Sequence, residues 1–367
     1  MNKTLFKITL IFSIAVVVSS FAFQLSKKWK TGTISAGAPL NYPFVQNWFG
    51  NTGTQLLQPQ QLPPVDRTQI FANNSFSSFE CSDCVTVLMT GDVLPARSVN
   101  QKTTSLNNFE WPFEKTAEVL KSADITMINL ETPLVDSCPI RTDGMVFCGD
   151  QKNVQGLLFA GIDVVNFANN HAGNAGKQGV IDTNQLLNQN GFLVTGIQQP
   201  VFKIVKGVKF AFLGYNDVEK YGFVADVDDQ RMQTEIAAAK QNADVVIVQF
   251  HWGEEYRYQP TGRQKELAHR VIDLGADLVV GNHPHWIEPV EWYKEKLITY
   301  SHGNFVFDQM WSTETRQGIV GKYTFQGRNL VDVAFFPIWI ENYGQPRWME
   351  GKEKQKILDL LKKESEK

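Results

Sequence analysis

Residues 243–285 read ADVVIVQFHWGEEYRYQPTGRQKELAHRVIDLGADLVVGNHPH. An apolar run, Val245–Phe250, ends on His251-Trp252-Gly253 with Glu254 and Glu255 behind it. A helical pattern follows over 262–274, with Leu267, Val271 and Leu274 on one stripe, Thr261 as the N-cap and Gly275 as the stop. A second apolar run, Asp277–Val280, ends on Gly281-Asn282-His283-Pro284-His285. Strand, polar cluster, helix, strand and polar cluster again is the pattern of an α/β fold on a largely buried sheet. In such sheets the side chains at the carboxyl ends of strands converge on the ligand crevice. The stretch therefore sets the fold class, α/β, and the place where chemistry is to be sought.

The same alternation extends outward. Val85–Met89, Ile125–Ile128 and Asp163–Phe167 read as strands, and 113–122, 153–160, 177–190 and 230–242 as helices. Phe202–Val205 faces Val208–Leu213 across Lys206-Gly207, and Val290–Tyr293 faces Leu297–Tyr300 across Lys294–Lys296, so hairpins are expected and the sheets are mixed. One domain is expected over 81–345. Residues 346–367 read as a charged tail, with Ile357, Leu358, Leu360 and Leu361 on one side of a short surface helix.

Three more strand candidates end on polar clusters: Gly91-Asp92 running on to Arg97, Asn129-Leu130-Glu131, and Asn169-Asn170-His171. Each alone is an ordinary cap or turn. Together they supply carboxylates (Asp92, Glu131), imidazoles (His251, His283, His285) and an amide oxygen (Asn170). Mixed nitrogen and oxygen donors without thiolate suit Zn, Mn or Fe rather than Cu(I) or an iron–sulfur cluster, so a divalent metal site of one or two ions is expected. Alternate residues of an extended segment point to opposite faces. Both histidines of His283-Pro284-His285 can therefore share a site only through a kink, or with one of them contributing its backbone. Four of the chain's six histidines fall in these clusters. His269, inside the 262–274 helix, reads as incidental, and His302, after the Leu297–Tyr300 strand, as intermediate.

The remaining composition bounds the function. The chain has 367 residues, 43% hydrophobic and 20% charged, with a net charge of −3. That excludes a disordered chain, and a pI near 6.1 argues against a nucleic-acid partner. From Ile8 to Leu25 no charge interrupts an apolar run flanked by Lys3, Lys7, Lys27, Lys28 and Lys30. Its length is just enough to span a bilayer. It reads as a signal peptide cleaved near Ser20-Phe21-Ala22 or as an uncleaved anchor; the long run and the missing Ala-x-Ala favour a membrane anchor over 1–30. Residues 31–80, rich in Gln, Asn, Gly, Pro, Thr and Ser, read as a flexible linker. The four cysteines suit an exported domain. Cys138 and Cys148 flank a hairpin-like loop and read as a disulfide, whereas Cys81 and Cys84 could form a disulfide, a metal site or a redox pair. The expected location is the outer face of the membrane.

The segments TGDVLPAR, ADITMINLETPLV, GIDVVNFANNHAGNAGKQGVIDT, ADVVIVQFHWGEEY and GADLVVGNHPHWIEPVEWYKEKLITYSHGNFVFD lie between Val85 and Asp308, about three-fifths of the chain. In order and spacing they resemble the capsule-synthesis CapA family, which is associated with poly-γ-glutamate and belongs to the calcineurin-like metallophosphoesterase superfamily. The resemblance implies a four-layer α/β/β/α sandwich with mixed sheets and a metal centre at the strand ends. Carried over by position, Asp92, Glu131, Asn170, His251, His283 and His285 match metal ligands, and His171 the proton-donating histidine. Arg97 matches the loop arginine, which could hold an anionic group bidentately. Glu255 and Asn304 join Arg97 as substrate-binding candidates. The superfamily's first motif is Asp-x-His, and Leu94 stands in place of that histidine. The family usually has Gly at Ala96 and Leu at His302. The resemblance thus implies a metal-dependent hydrolase or transferase acting on an anionic polymer in the envelope, or a non-catalytic accessory subunit of a polymer synthase or exporter. A third possibility is a binding protein for an anionic glycan or peptide that uses Arg97, Trp252, Tyr256, Trp286 and Trp292.

Overall fold

The computed structural model of the protein describes residues 61–72, 75–77, 79 and 81–367. The expected anchor and most of the linker lie outside the described residues, among which no helix is long and apolar enough to cross a membrane.

The strands are β1 (Cys84–Val93), β2 (Ile125–Leu130), β3 (Leu134–Val135), β4 (Gly149–Asp150), β5 (Val164–Asn166), β6 (Leu193–Thr195), β7 (Val201–Val205), β8 (Val208–Asn216), β9 (Val245–His251), β10 (Leu278–Asn282), β11 (Ile287–Tyr293), β12 (Lys296–His302), β13 (Asn304–Val306), β14 (Gln317–Gln326), β15 (Asn329–Glu341) and β16 (Gln345–Trp348). The helices are α1 (Arg97–Leu106), α2 (Ala117–Ser122), α3 (Val154–Phe159), α4 (Gly176–Gln189), α5 (Asp229–Asn242), α6 (Gly262–Leu274) and α7 (Gly351–Ser365). One sheet runs β16-β15-β14-β1-β2-β5-β6, with β13 also paired to β1, and a second runs β11-β12-β10-β9-β8-β7. In the first sheet parallel β1, β2, β5 and β6 form one half and antiparallel β14, β15 and β16 the other; in the second, parallel β8, β9, β10 and β12 form the middle, with antiparallel β7 and β11 at the edges. Both expected hairpins are present, β7–β8 and β11–β12.

Strand alternation partitions the core. Val85, Val87 and Met89 of β1 share one apolar cluster with Phe210 and Phe212 of β8 and Ile247 of β9, so this cluster joins the two sheets. Phe210 and Phe325 meet edge to face across it at 5.5 Å. Leu88 of β1 and Ile128 of β2, of opposite parity, pack instead with Leu120, Leu157 and Leu187 from the helices. Helix α6 begins as its sequence predicts: Thr261 and Gln264 close a capping box, and Gly275 follows the last turn.

Four elements depart from expectation. Helix α1, RSVNQKTTSL, has no apolar stripe and gave no periodic signal; it buries only Val99, Asn100 and Thr103. The long hairpin β14–β15 went unread. The segment 346–367 is no loose tail: β16 pairs with β15, and Ile357, Leu358 and Leu361 of α7 are buried in the cluster that joins the sheets. An amphipathic helix needs an apolar partner in water, and the sheet supplies it. Nor does the flexible-linker reading hold to residue 80. Ile70 is buried, Phe76 stacks on Phe336 at 3.7 Å, and the Leu62 amide donates to Gln326 Oε1. A few apolar residues in a polar stretch are enough to seat it. Disulfides join Cys138 to Cys148 and Cys81 to Cys84, with Cα separations of 5.8 and 5.3 Å. The second pairing leaves neither thiol of Cys81 or Cys84 for a metal.

His302 belongs to the core. Its Nδ1 lies 3.1 Å from the Met89 carbonyl oxygen and its Nε2 3.0 Å from the Tyr323 hydroxyl. Nδ1 therefore donates to the carbonyl, and Nε2 accepts from Tyr323. Burial pushes its pKa down from 6.5 to about 4. As pH falls below 6.5 the unfolded chain takes up a proton that the folded state refuses until about pH 4. The stability contributed by neutral His302 is thus complete above pH 6.5 and drains away on acidification towards pH 4. The linkage ceiling is about 3 kcal/mol. His302→Leu should therefore lose about 2–3 kcal/mol less than wild type between pH 7 and pH 4.5 in urea unfolding; parallel pH slopes for the two proteins would refute this assignment.

Candidate metal centre

Parallel strands carry the carboxyl ends of both sheets to one edge, and the polar clusters meet there. Asp92 comes from β1, Glu131 from just beyond β2, Asn170 and His171 from the turn after β5, His251 from the end of β9, and His283 and His285 from the turn after β10. Two close approaches make room for the convergence. The β1–β2 register shifts between Met89 and Asp92, and a Cβ on Gly91 would lie 2.2 Å from the Gly303 carbonyl oxygen. A Cβ on Gly281 would lie 1.9 Å from the Tyr300 carbonyl oxygen. Only glycine fits at either position.

The His-Pro-His segment meets its geometric requirement in both ways at once. His283 and His285 have φ of 98° and 59°, so the chain kinks through the left-handed region on either side of Pro284. The two rings come within 5.7 Å, centroid to centroid. The His283 backbone amide also donates to Asp92 Oδ2 at 3.2 Å. Strain of this kind persists only where the surroundings hold it, and it clusters at functional sites.

Glu131 sits at the middle. It is fully buried, and neither carboxylate oxygen has a hydrogen-bond partner. Its Oε1 lies 3.8 Å from His251 Nε2, 3.8 Å from His285 Nε2 and 3.9 Å from His171 Nε2. Three overlapping groups have donor atoms within 4.8 Å of one another: Glu131-His251-His283, Asp92-Glu131-His285 and Glu255-His283-His285. An unpaired buried carboxylate among imidazoles is costly on its own and becomes favourable around a divalent cation. The residues therefore fit a divalent metal ion, with Glu131, His283 and His285 each shared between two groups.

Partners fix the imidazoles. His285 Nδ1 faces two acceptors, Asn304 Oδ1 at 2.9 Å and Asp92 Oδ2 at 3.1 Å, so it carries the proton and leaves Nε2 free as a ligand. Asn174 Oδ1 accepts from the Phe147 backbone amide at 2.7 Å and faces His171 Nδ1 at 2.9 Å. A backbone amide can only donate, so His171 Nδ1 also donates, and its Nε2 lone pair points at the centre. Asn129 donates to Asp92 Oδ1 at 2.8 Å and lies 3.2 Å from His251 Nδ1, while His251 Nε2 lies 2.8 Å from Asn170 Oδ1. Burial, followed by repulsion from Asp92 and Glu255, pushes the Glu131 carboxyl well above its usual range. Burial also holds His251 and His283 well below theirs, and His171 at about 4. His171, His251 and His283 are thus in the neutral form that binds metal at neutral pH.

All six expected ligands and His171 gather here. Arg97 ion-pairs with Asp308, and its guanidinium lies 4.6 Å from the centre of the Phe147 ring. Glu255, expected to bind substrate, has an oxygen 4.0 Å from His285 Nε2 and also belongs to a candidate ligand group. Asn304 is fully buried; its amide nitrogen donates to the Thr315 carbonyl and Gln309 Oε1, so it orients His285 and presents no open face. Trp252 is core, with its indole N–H on the Tyr300 carbonyl, and Trp292 lies under Arg67 on β11; of the four expected aromatics only Tyr256 and Trp286 stand beside His285 and each other. Sequence reasoning missed Asn129, Asn174, Phe147 and Asp308 as members of the site. Asn129 stood in a strand-end cluster and was legible; the other three act through tertiary contacts alone. His269 is peripheral, bonded to Glu291 at 2.7 Å and stacked on Tyr293.

Comparison with known proteins gives the family. Residues 86–309 match the family of the bacterial capsule synthesis protein PGA_cap. The chain is 34% identical over 259 residues to the PGA biosynthesis protein CapA of Bacillus subtilis (strain 168), covering 66% of this chain and 68% of that protein. It is 28% identical over 306 residues to the capsule biosynthesis protein CapA of Bacillus anthracis, covering 77% and 74%. It is 27% identical over 266 residues to a probable polyglutamine synthesis accessory protein of Mycobacterium tuberculosis, covering 65% and 68%. The matched residues carry every ligand candidate from Asp92 to His285, and on that ground the chain belongs to the bacterial capsule synthesis protein PGA_cap family.

Proposed function

We propose that the protein is a metal-dependent hydrolase or transferase of the cell envelope, acting in capsule or poly-γ-glutamate synthesis or export. The observation that carries this reading is Glu131, a buried carboxylate with no hydrogen-bond partner and three imidazole nitrogens within 4 Å. Asp92, Glu131, Asn170, His251, His283 and His285 would hold Mn, Fe or Zn, as one ion or two, with Glu255 in reach. A bound divalent ion lowers the pKa of water toward ~7 and supplies a nucleophile at neutral pH. His171, held as the Nδ1–H tautomer by Asn174, directs its Nε2 lone pair at the centre, where it can take up a proton and pass it to a leaving group. Arg97 would orient an anionic substrate. The two sheets sharing one apolar cluster, with helices on their other faces, support the metallophosphatase-like four-layer α/β/β/α sandwich as the finer description of the fold. The paired cysteines and the apolar run at 8–25 support an anchored protein on the outer face of the membrane, within reach of synthase or export components.

A second reading is favoured by one residue. Leu94 stands where metallophosphoesterases place a histidine, and it is fully buried in the core. A site short of one ligand suits an accessory subunit that keeps the metal fold without turnover, and one relative carries the description of an accessory protein.

Two outcomes test these readings. The full chain purified and dialysed against Mn or Zn should retain metal on elemental analysis. His283→Ala and Glu131→Gln should weaken retention by roughly tenfold or more, since even supporting residues of a metal site cost that much; equal metal content in all three proteins would remove the metal centre. In cells, Asp92→Ala/His171→Ala should abolish capsule polymer while the protein stays abundant. Full complementation by that double variant would favour the accessory subunit over the enzyme.

A further inference from the structure

Beside the candidate metal centre lies a cavity of about 250 Å³, walled on one side by the loop that the Cys138–Cys148 disulfide ties together. Two of its lining residues are cationic, Arg97 and Arg141, and none is acidic. The other walls are polar at Ser137 and Asn174 and apolar at Val146 and Phe147.

The cavity is built rather than incidental. The Phe147 ring lies between two charged or polar groups, with the His171 ring 3.9 Å away and the Arg97 guanidinium 4.6 Å away. Arg97 also donates from Nη1 to the Gly144 carbonyl of the same loop at 3.3 Å, and Asp308 pairs with it. Arg97 Nε remains buried with no hydrogen-bond partner, and the residue adopts φ 46°, a left-handed conformation unusual for a side chain of this size. The structure thus holds a strained arginine with an unsatisfied donor, one ring away from the proposed proton-transfer histidine. Arg141 is exposed, so its charge is available to a ligand. At the loop's outer rim Ile140, Met145 and Val146 are 47, 58 and 64% exposed, an apolar edge on an otherwise polar surface.

We infer that this cavity is an anion subsite, in which Arg141 and Arg97 hold a carboxylate or phosphate group of a substrate that extends from the metal centre, the apolar rim receiving the methylenes next to it. The inference rests on the metal-centre reading for the position of the reacting group, but its binding chemistry is independent of any metal. Asp308 takes one face of Arg97, while Arg141 has no acidic residue beside it in the cavity lining; guanidinium groups so placed recognise planar or tetrahedral oxyanions. The disulfide holds the loop in place as a wall of the cavity, so the subsite exists only in the oxidised protein.

Titration of the full chain with glutarate and, separately, inorganic phosphate, followed by isothermal calorimetry at low salt, tests this. Saturable binding of at least one probe is expected in wild type. It should weaken tenfold or more in Arg141→Ala, recover in part in Arg141→Lys, and persist in His283→Ala. Glutarate binding identifies a carboxylate as the natural group, and phosphate binding alone a phosphoryl group. Dithiothreitol, at a concentration that leaves the melting temperature above the assay temperature, should abolish binding; binding undiminished after confirmed reduction would overturn the role of the disulfide. The proposal is overturned if neither probe saturates, or if Arg141→Ala binds like wild type. Binding lost in His283→Ala but kept in Arg141→Ala would place the anion on the metal instead. Metal content of the same samples separates failure of the subsite from failure of the metal centre.

Discussion

The structure depends on one unfavourable placement, the Glu131 carboxylate at zero exposure without a hydrogen bond. A buried polar group left unsatisfied costs of order 1–3 kcal/mol, and more when charged. A divalent cation bound among these residues would relieve that cost. The surroundings are arranged for that relief: nitrogens of His171, His251 and His285 lie within 4 Å of one oxygen, Asp92 is held by the Asn129 side chain and the His283 amide, and His285 is fixed in the tautomer that frees Nε2. Stability and function therefore meet at this residue.

The wider fold is the means of bringing about that encounter. No single strand or helix could supply carboxylates and imidazoles at this spacing. Parallel strands from two sheets deliver their carboxyl ends to a common edge, and the apolar cluster between the sheets locks their relative position. The glycines at 91 and 281 let backbone pass where any side chain would collide. The left-handed histidines flanking Pro284 turn two rings inward that an extended chain would hold apart. His302 shows the opposite outcome for the same residue type. Sealed between Met89 and Tyr323, it contributes to the core and lends nothing to the site.

A second layer of residues governs the first. Asn174, Phe147, Asn304 and Asn129 set tautomers and ring positions at His171, His285 and His251. The disulfide loop brings Phe147 between His171 and Arg97, so a covalent link 10 residues long in sequence reaches the geometry of the centre. These contacts also explain why Arg97 is more than a loose cation: it is pinned from one side by Asp308 and from the other by an aromatic face.

The amino-acid sequence alone determined the α/β class, the positions of most strands and of the helices with an apolar stripe, and the candidate ligands from Asp92 to His285. Periodicity records local burial, and metal donors at strand ends keep their order in the chain, so both are readable in one dimension. It did not reveal α1 and the β14–β15 hairpin, since the first has no apolar stripe and the second no polar cluster to mark it. Tertiary structure alone decided that residues 61–72, 75–77 and 346–365 pack on the domain, that Asn304 orients a histidine, that Glu255 joins His283 and His285 in a candidate ligand group, and that His302 is core. Each of these depends on which surface a segment meets across a gap of many residues. That is a question of three-dimensional contact, to which neighbouring letters in a sequence carry no pointer.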